Sequence, residues 1–259
     1  MKRLSMIGLG IANERSISLG GLERLRESEM AFAEFYTSIL EEGSIERLGK
    51  LAGKKILILS RKEVEEEERV LKAFDDHGLV CFLTAGDPLS ATTHQELRFD
   101  VMDRGIEVEV INSASILNSA PGFAGLQHYK FGRTTTIAYP EGFFFPTSPL
   151  DVIIENLRRG LHTLVLLDIR SEEDRFMSAS EGSALILRMS ELNQSGEIGP
   201  GTMAAAVIRA GRSDWKVVYA PLGEIPYMDL GGPPHCLIVP GALHFAEKEA
   251  LERFRPPGK

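Results

Sequence analysis

Two α/β domains, the first built on a largely parallel sheet, are the architecture this sequence predicts. Three observations carry that expectation. Through residues 1–112 short apolar runs alternate with amphipathic stretches, the strand–helix–strand rhythm of a parallel sheet. In residues 113–259 strand-like runs outnumber helices, and some are joined by segments short enough for hairpins. The 259 residues, 43% of them apolar and 25% charged, suffice for two modest cores without disulfides or metals.

The elements follow in order. Residues 3–10 read as a strand ending in a glycine turn, and 18–29 as a helix with Leu19, Leu22 and Leu25 at helical spacing. Strands follow at 30–35 and 54–60. A charged helix over 61–78 turns Val64, Val70, Leu71 and Phe74 inward, with the run Glu65–Glu68 on its solvated face. Residues 79–84 form a strand, 92–105 a helix and 106–111 an alternating strand. The Ser/Ala/Gly-rich segment 112–125 reads as a linker into a short helix, which sets the domain boundary. Beyond it, strands are predicted at 133–140, 162–170, 202–211, 215–220 and 235–241. Helices are predicted at 148–160, 178–194 and 245–254.

Composition narrows the function classes. A net charge of −8 argues against a nucleic-acid partner, because holding phosphates takes a basic face. No run approaches the ~20 apolar residues of a membrane span, and the N-terminal apolar stretch is short for a signal peptide; the expected location is cytoplasmic. Cys81 and Cys236 sit in separate apolar runs and read as buried thiols. No histidine pair has metal-ligand spacing, so no metal is expected. Gly8-Leu9-Gly10 follows a strand, but Asn13 stands where the dinucleotide fingerprint needs its third glycine. The phosphate-cradling lysine loop, the nucleophile elbow and the paired-histidine zinc motif are also missing from the sequence.

The specific feature is Gly86-Asp87-Pro88, where a buried strand stops on a lone aspartate. Gly86 permits backbone angles closed to other residues, and Pro88 restricts Asp87 to extended ones. Loops at the C-terminal ends of parallel strands line ligand crevices. Two readings stand side by side: a carboxylate held stiffly toward a ligand, or an aspartate that closes its own turn and caps the next helix.

Longer strings settle the class by likeness. The glycine turn, "GDP" after the fourth strand and a second α/β domain resemble the S-adenosylmethionine-dependent methyltransferases that include the tetrapyrrole methylases. "AEFYTS" (33–38), "GDPLSATTHQELR" (86–98), "YKFGRTTTIAYPEGFFFPTS" (129–148), "RGLHTLVLLDI" (159–169) and "PPHCLIVPGALHFAE" (233–247) resemble the archaeal-type diphthine synthases within that class. The resemblance implies a cofactor cleft between two α/β domains, a homodimer, and elongation factor 2 as protein substrate. In that substrate the methyl acceptor is the amine of a 3-amino-3-carboxypropyl arm on a histidine. It also implies S-adenosylmethionine contacts at Ile11, Asp87, Ser90, Ser115, Ile116, Leu166, Ala210 and His235. Four departures from the expected pattern stand out: Ala85 for proline, Ser90 for an apolar residue, Asn and Ser within "NERSIS" (13–18) where acids are frequent, and Gly232 for an aspartate. The last leaves the loop before His235 undetermined.

Methyl transfer to an amine needs no acid for the leaving thioether, so positioning and desolvation are expected to carry catalysis, with no assigned catalytic residue. Glu34, His94 and Asp168 are the candidate bases. Phe35, Tyr36, Tyr129, Phe143, Phe144 and Phe145 are the candidate aromatic partners for a cationic nitrogen. The rival readings are a related methyltransferase acting on a tetrapyrrole or rRNA, and a cofactor-binding protein without turnover.

Overall fold

The computed structural model describes residues 2–142, 145–194 and 196–257. The chain forms two compact units, one running through Ile116 and including Ser171–Glu173, the other formed by the rest from Leu117 onward.

The first unit holds strands β1 (Arg3–Gly8), β2 (Met30–Glu34), β3 (Leu57–Leu59), β4 (Leu79–Thr84) and β5 (Glu107–Ile111) in the order β3-β2-β4-β1-β5. Every pairing is parallel. Alternation along the strands feeds two cores. Leu4, Met6, Phe32, Val80 and Phe82 pack on one face, and Ile7, Ala31, Ala33, Cys81 and Leu83 on the other, as the two-residue period of a strand requires. Helix α1 (Leu19–Glu27) is opened by Ser18, whose hydroxyl accepts the Gly21 N–H at 3.1 Å. Of its predicted apolar stripe, Leu25 is buried while Leu19 is exposed.

Helix α2 (Ser44–Ala52) falls where the sequence analysis assigns no element. Gly43 and Gly53, both left-handed, bound it, and Ile45, Leu48 and Ala52 face inward. The predicted helix over 61–78 is two, α3 (Arg61–Glu65) and α4 (Arg69–Lys72). Between them Glu68 turns left-handed at φ 51° and pairs with Arg104 at 3.0 Å. Four successive carboxylates repel one another along a helix, and the break relieves that run. Its four inward residues are buried as expected. Helix α5 (Gln95–Asp103) follows β4.

Helix α6 (Ile116–Phe123) leads into the second unit. There, β6 (Thr135–Ile137), α7 (Ser148–Arg158) and β7 (Thr163–Leu167) precede a ribbon of β8 (Ile169–Arg170) and β9 (Arg175–Phe176). Then come α8 (Ala179–Asn193), β10 (Met203–Ile208), β11 (Lys216–Pro221), β12 (His235–Val239) and α9 (Phe245–Glu252). The sheet order is β11-β10-β12-β7-β6. Only β6 and β7 run parallel; β10–β11 is an antiparallel hairpin. Ile153, Val165, Ile186, Ala206 and Leu237 form its core. Both cysteines are buried free thiols. Among the described residues no helix is long and apolar enough to cross a membrane, and none cluster as metal ligands.

Candidate functional site

The ends of β1, β4 and β5 are locked together by their loops. Gly10 and Gly86 form a two-bond bridge: the Gly10 N–H donates to the Gly86 carbonyl at 3.1 Å, and the Gly86 N–H to the Gly10 carbonyl at 2.7 Å. Both glycines are left-handed, at φ 72° and 80°, which explains the residue type. Gly8 is required for a different reason. A Cβ there would lie 2.7 Å from the Gly86 carbonyl oxygen and 2.7 Å from Ser113 Cβ.

Asp87 completes the lock. One carboxylate oxygen accepts the Leu89 N–H and the Ser90 hydroxyl, each at 3.0 Å. The other accepts Asn112 Nδ2 at 2.9 Å and the Ser113 N–H at 3.2 Å. Four donors fill the acceptor capacity of a carboxylate. Burial works to raise its pKa, but these donors outweigh burial and hold it below the ordinary value. Of the two readings of this residue, the structure adds a third component. Asp87 closes its own turn, but it does not cap α5, whose preceding residue is His94. It ties the β4 loop to the β5 loop. Asn112 and Ser113, part of what reads as a linker in the sequence, are its partners.

Ile11, Ser90 and Ile116 are half-buried and Ser115 is buried. The first unit thus gathers the locked loops and these residues at the C-terminal ends of its strands. In the second unit Leu166 is half-buried near the end of β7 and Ala210 is buried just past β10. His235 opens β12 after the cis Pro233–Pro234 bond. Both its ring nitrogens are engaged: Nδ1 accepts the Ala179 N–H at 3.1 Å, and Nε2 donates to the Gly232 carbonyl at 2.8 Å. Burial lowers its pKa, in the same sense as an Nδ1 that accepts rather than donates. Arg209 also donates to the Gly232 carbonyl, at 2.6 Å. The loop left undetermined by Gly232 is therefore held through that residue's backbone.

The candidate bases separate. Asp168 accepts the Tyr139 N–H at 2.9 Å and faces Arg170 at 3.5 Å, a structural assignment. Glu34 and His94 lie together, fully buried, with Tyr36 and Thr84. Glu34 accepts the Tyr36 N–H at 3.0 Å, the Thr37 N–H at 3.1 Å and the Thr37 hydroxyl at 2.6 Å. His94 Nε2 lies 3.6 Å from the carboxylate and 3.3 Å from the Tyr36 hydroxyl. Burial pushes the Glu34 pKa up to about 7 against those donors, pulls His94 down to about 4 and raises Tyr36. The Arg61 guanidinium sits over the Tyr36 ring at 5.0 Å. Thr37, Thr84 and Arg61 were missed by sequence reasoning, since nothing local distinguishes them. Of the other aromatics, Phe35 packs on the first unit's core, Tyr129 is exposed, and Phe145 packs on the second core beneath Arg188. Phe143 and Phe144 lie outside the described residues.

The interlocked glycine and aspartate loops point to one family, and its sequence profile, tetrapyrrole (corrin/porphyrin) methylases, matches residues 3–226. The chain belongs to the tetrapyrrole methylase family. Among curated members, the diphthine synthase of Methanocaldococcus jannaschii is 45% identical over 96% of this chain and 97% of its own. That of Methanothermobacter thermautotrophicus is 44% identical over 96% and 94%. A solved diphthine synthase structure covers 98% of this chain and 97% of its own, at 29% identity and a TM-score of 0.87. A structure from Entamoeba histolytica covers both chains completely, at 32% identity and a TM-score of 0.91. As a tetrapyrrole methylase family member of this branch, the chain is a methyltransferase with a mixed α/β fold.

Proposed function

We propose that this protein is a diphthine synthase: it methylates the amine of the 3-amino-3-carboxypropyl arm on a histidine of elongation factor 2, to the trimethylammonium stage. The observation that carries this reading is 45% identity to a curated diphthine synthase over 96% of the chain, with the locked loops of the family motif intact. The tetrapyrrole alternative has no comparable support among these relatives, and the acidic balance of −8 disfavours rRNA.

The residues present suit S-adenosylmethionine. In the first unit half-buried Ile11 and Ile116 offer apolar contact and Ser90 and Ser115 are small enough to admit a flat ring; in the second, half-buried Leu166 and small Ala210 offer the same two features. A Cβ at Gly86 would enter open space, so the backbone there is accessible to a ligand. Asp87 holds the loops after β4 and β5 in shape through its four donors, and His235 ties the start of β12 to the start of α8. When bound, the cofactor supplies a methyl group on a sulfonium that departs as a neutral thioether.

The chain must then supply an unprotonated amine. An alkylamine of pKa near 10 is neutral in about one molecule per thousand at pH 7, a cost of roughly 4 kcal/mol. An apolar site lowers that pKa, and orienting the amine removes part of the entropic barrier. Incubation with labelled S-adenosylmethionine and unmethylated elongation factor 2 tests the reading. Label on the factor is the expected result; label only on RNA or a tetrapyrrole, or none, overturns it. The homodimer and cytoplasmic location belong to the same reading, and light scattering in solution checks the dimer.

A further inference from the structure

A buried carboxylate without a contacting cation is costly, and the first unit keeps one. Glu34 ends β2, and strand register aligns it with Thr84 of β4, which in turn aligns with Gly8 of β1. One row of the sheet therefore runs from Glu34 to the glycine turn, two strand spacings or about 10 Å. Everything beyond that row is the loop surface where parallel sheets bind ligands. Glu34 faces the side covered by α3, α4 and α5, yet its carboxylate bonds upward, to the loop after β2.

The groups around it are specific. From its own loop come Tyr36 and Thr37, from β4 Thr84, from the start of α5 His94, and from α3 Arg61 and Glu65. Among the described residues no lysine or arginine makes salt-bridge contact with Glu34, so only its three donors and the more distant Arg61 favour the ionised state, against burial. Thr37 is half-buried and its hydroxyl donates to Glu34 at 2.6 Å. His94 and Tyr36 line a cavity of about 60 Å³ together with Glu65, Glu68, Glu96 and Asp100, large enough for water.

We propose that Glu34, acting through the Thr37 hydroxyl, receives the proton that the substrate amine must shed before each methyl transfer. This rests on the functional reading above. In the first step an ammonium N–H bond breaks as the Thr37 oxygen takes that proton and passes its own to Glu34. In the second, the nitrogen lone pair forms the C–N bond as the S–C bond breaks, its electron pair staying on sulfur. The proton on Glu34 then leaves to water by way of His94, Tyr36 and the acid-lined cavity. A carboxylate buried enough to titrate near neutrality suits this task, since a proton acceptor works best with a pKa near the working pH. Glu34 is thereby a positioning and relay group, and the aspartate of the locked loops is free of this duty.

The test compares the full-length protein with Glu34→Gln on elongation factor 2 bearing the unmethylated arm. The expected result is a fall in kcat of about 100-fold or more at pH 7, with the S-adenosylmethionine dissociation constant within twofold of the unsubstituted protein. The logarithm of the variant's kcat should climb with unit slope toward pH 9, as the amine deprotonates by itself. Thr37→Val, which keeps the carboxylate but cuts the link, should show the same slope. A ¹³C titration of the Glu34 carboxyl in the unliganded protein should give a pKa well above that of an exposed glutamate. An unchanged pH profile in either folded variant, loss of cofactor binding in step with activity, or an ordinary carboxyl pKa would overturn the proposal. If the unsubstituted protein leaves the factor unmethylated, the functional reading falls and this role with it.

Discussion

Each unit buries a glutamate beside a histidine, and the two pairs are electrostatic opposites. Glu34 and His94 in the first unit have no lysine or arginine in salt-bridge contact among the described residues, and burial carries the glutamate up to about 7. Glu247 and His162 in the second unit are equally buried, but Lys130 forms an ion pair with Glu247. Its carboxylate also accepts the Gln127 N–H at 3.0 Å, the His244 N–H at 2.8 Å and His162 Nε2 at 3.1 Å. Burial again acts to raise its pKa, but Lys130 and the other donors reverse this and bring it down to about 2. The same two residue types thus make a permanent anion in one place and a titrating group in the other. The depth of desolvation, the contacting cation and the set of donors together decide which. The permanent anion fastens α9 to the segments around Gln127 and His162, and His162 Nδ1 in turn accepts the Gly241 N–H at 2.9 Å. That is a structural hub.

Removing the hub should give the largest effect. Glu247→Ala leaves Lys130 and three donors without their acceptor, and breaking a buried pair costs about 3–5 kcal/mol. Urea denaturation should show it; a loss below about 1 kcal/mol would mean that the pair does not anchor α9.

The pH dependence sharpens the contrast, because the signs differ. Glu247 has a depressed folded pKa, so its stabilisation is present above about 4.5 and is lost as pH falls through about 2. Glu34 has a raised folded pKa, so it opposes folding least below about 4.5 and increasingly as pH rises through about 7. Between pH 4 and 8 the stability of Glu34→Gln relative to the unsubstituted protein should rise by about 3 kcal/mol. Paired denaturation curves measure it, and a pH-independent difference would show that Glu34 ionises alike in the folded and unfolded chains.

A smaller effect is expected at the locked loops. Gly8→Ala forces a methyl to within 2.7 Å of the Gly86 carbonyl and Ser113, an overpacking cost of about 1–3 kcal/mol. Calorimetry should show weakened S-adenosylmethionine binding, with the hub's acid transition unchanged. The smallest effect serves as the control. Gly20 lies exposed in α1 with nothing near a built Cβ, and Gly20→Ala should stabilise by up to about 1 kcal/mol with activity intact.

How much was legible in the sequence varied by element. Strand β4 coincides with the predicted residues 79–84, because a continuous apolar run between a glycine and a Gly-Asp-Pro turn admits little else. Helix α8 is equally readable, with Ser178 and Glu181 forming the capping box at its start. Helix α2 escaped notice because its ends are marked by glycines alone, and the break at Glu68 because no breaking residue stands there. At the site, Gly86-Asp87-Pro88 stood out as unusual, but its carboxylate's partners Asn112 and Ser113 are 25 and 26 residues away. No local pattern predicts a pairing across that distance.

Residue type and spacing by themselves determined the α/β class, the parallel first sheet and, through long family-like strings, the methyltransferase branch. These follow from strand and helix periodicity and from motif identity, both local properties of the chain. Tertiary structure alone decided what each charged side chain does. Asp87, a candidate ligand contact in the sequence, also ties two loops together through four protein donors. Glu34 and Glu247 are indistinguishable as letters, yet one titrates near neutrality and the other does not. Ionisation depends on burial and on which groups the fold brings within a few ångströms, and those neighbours come from distant parts of the chain.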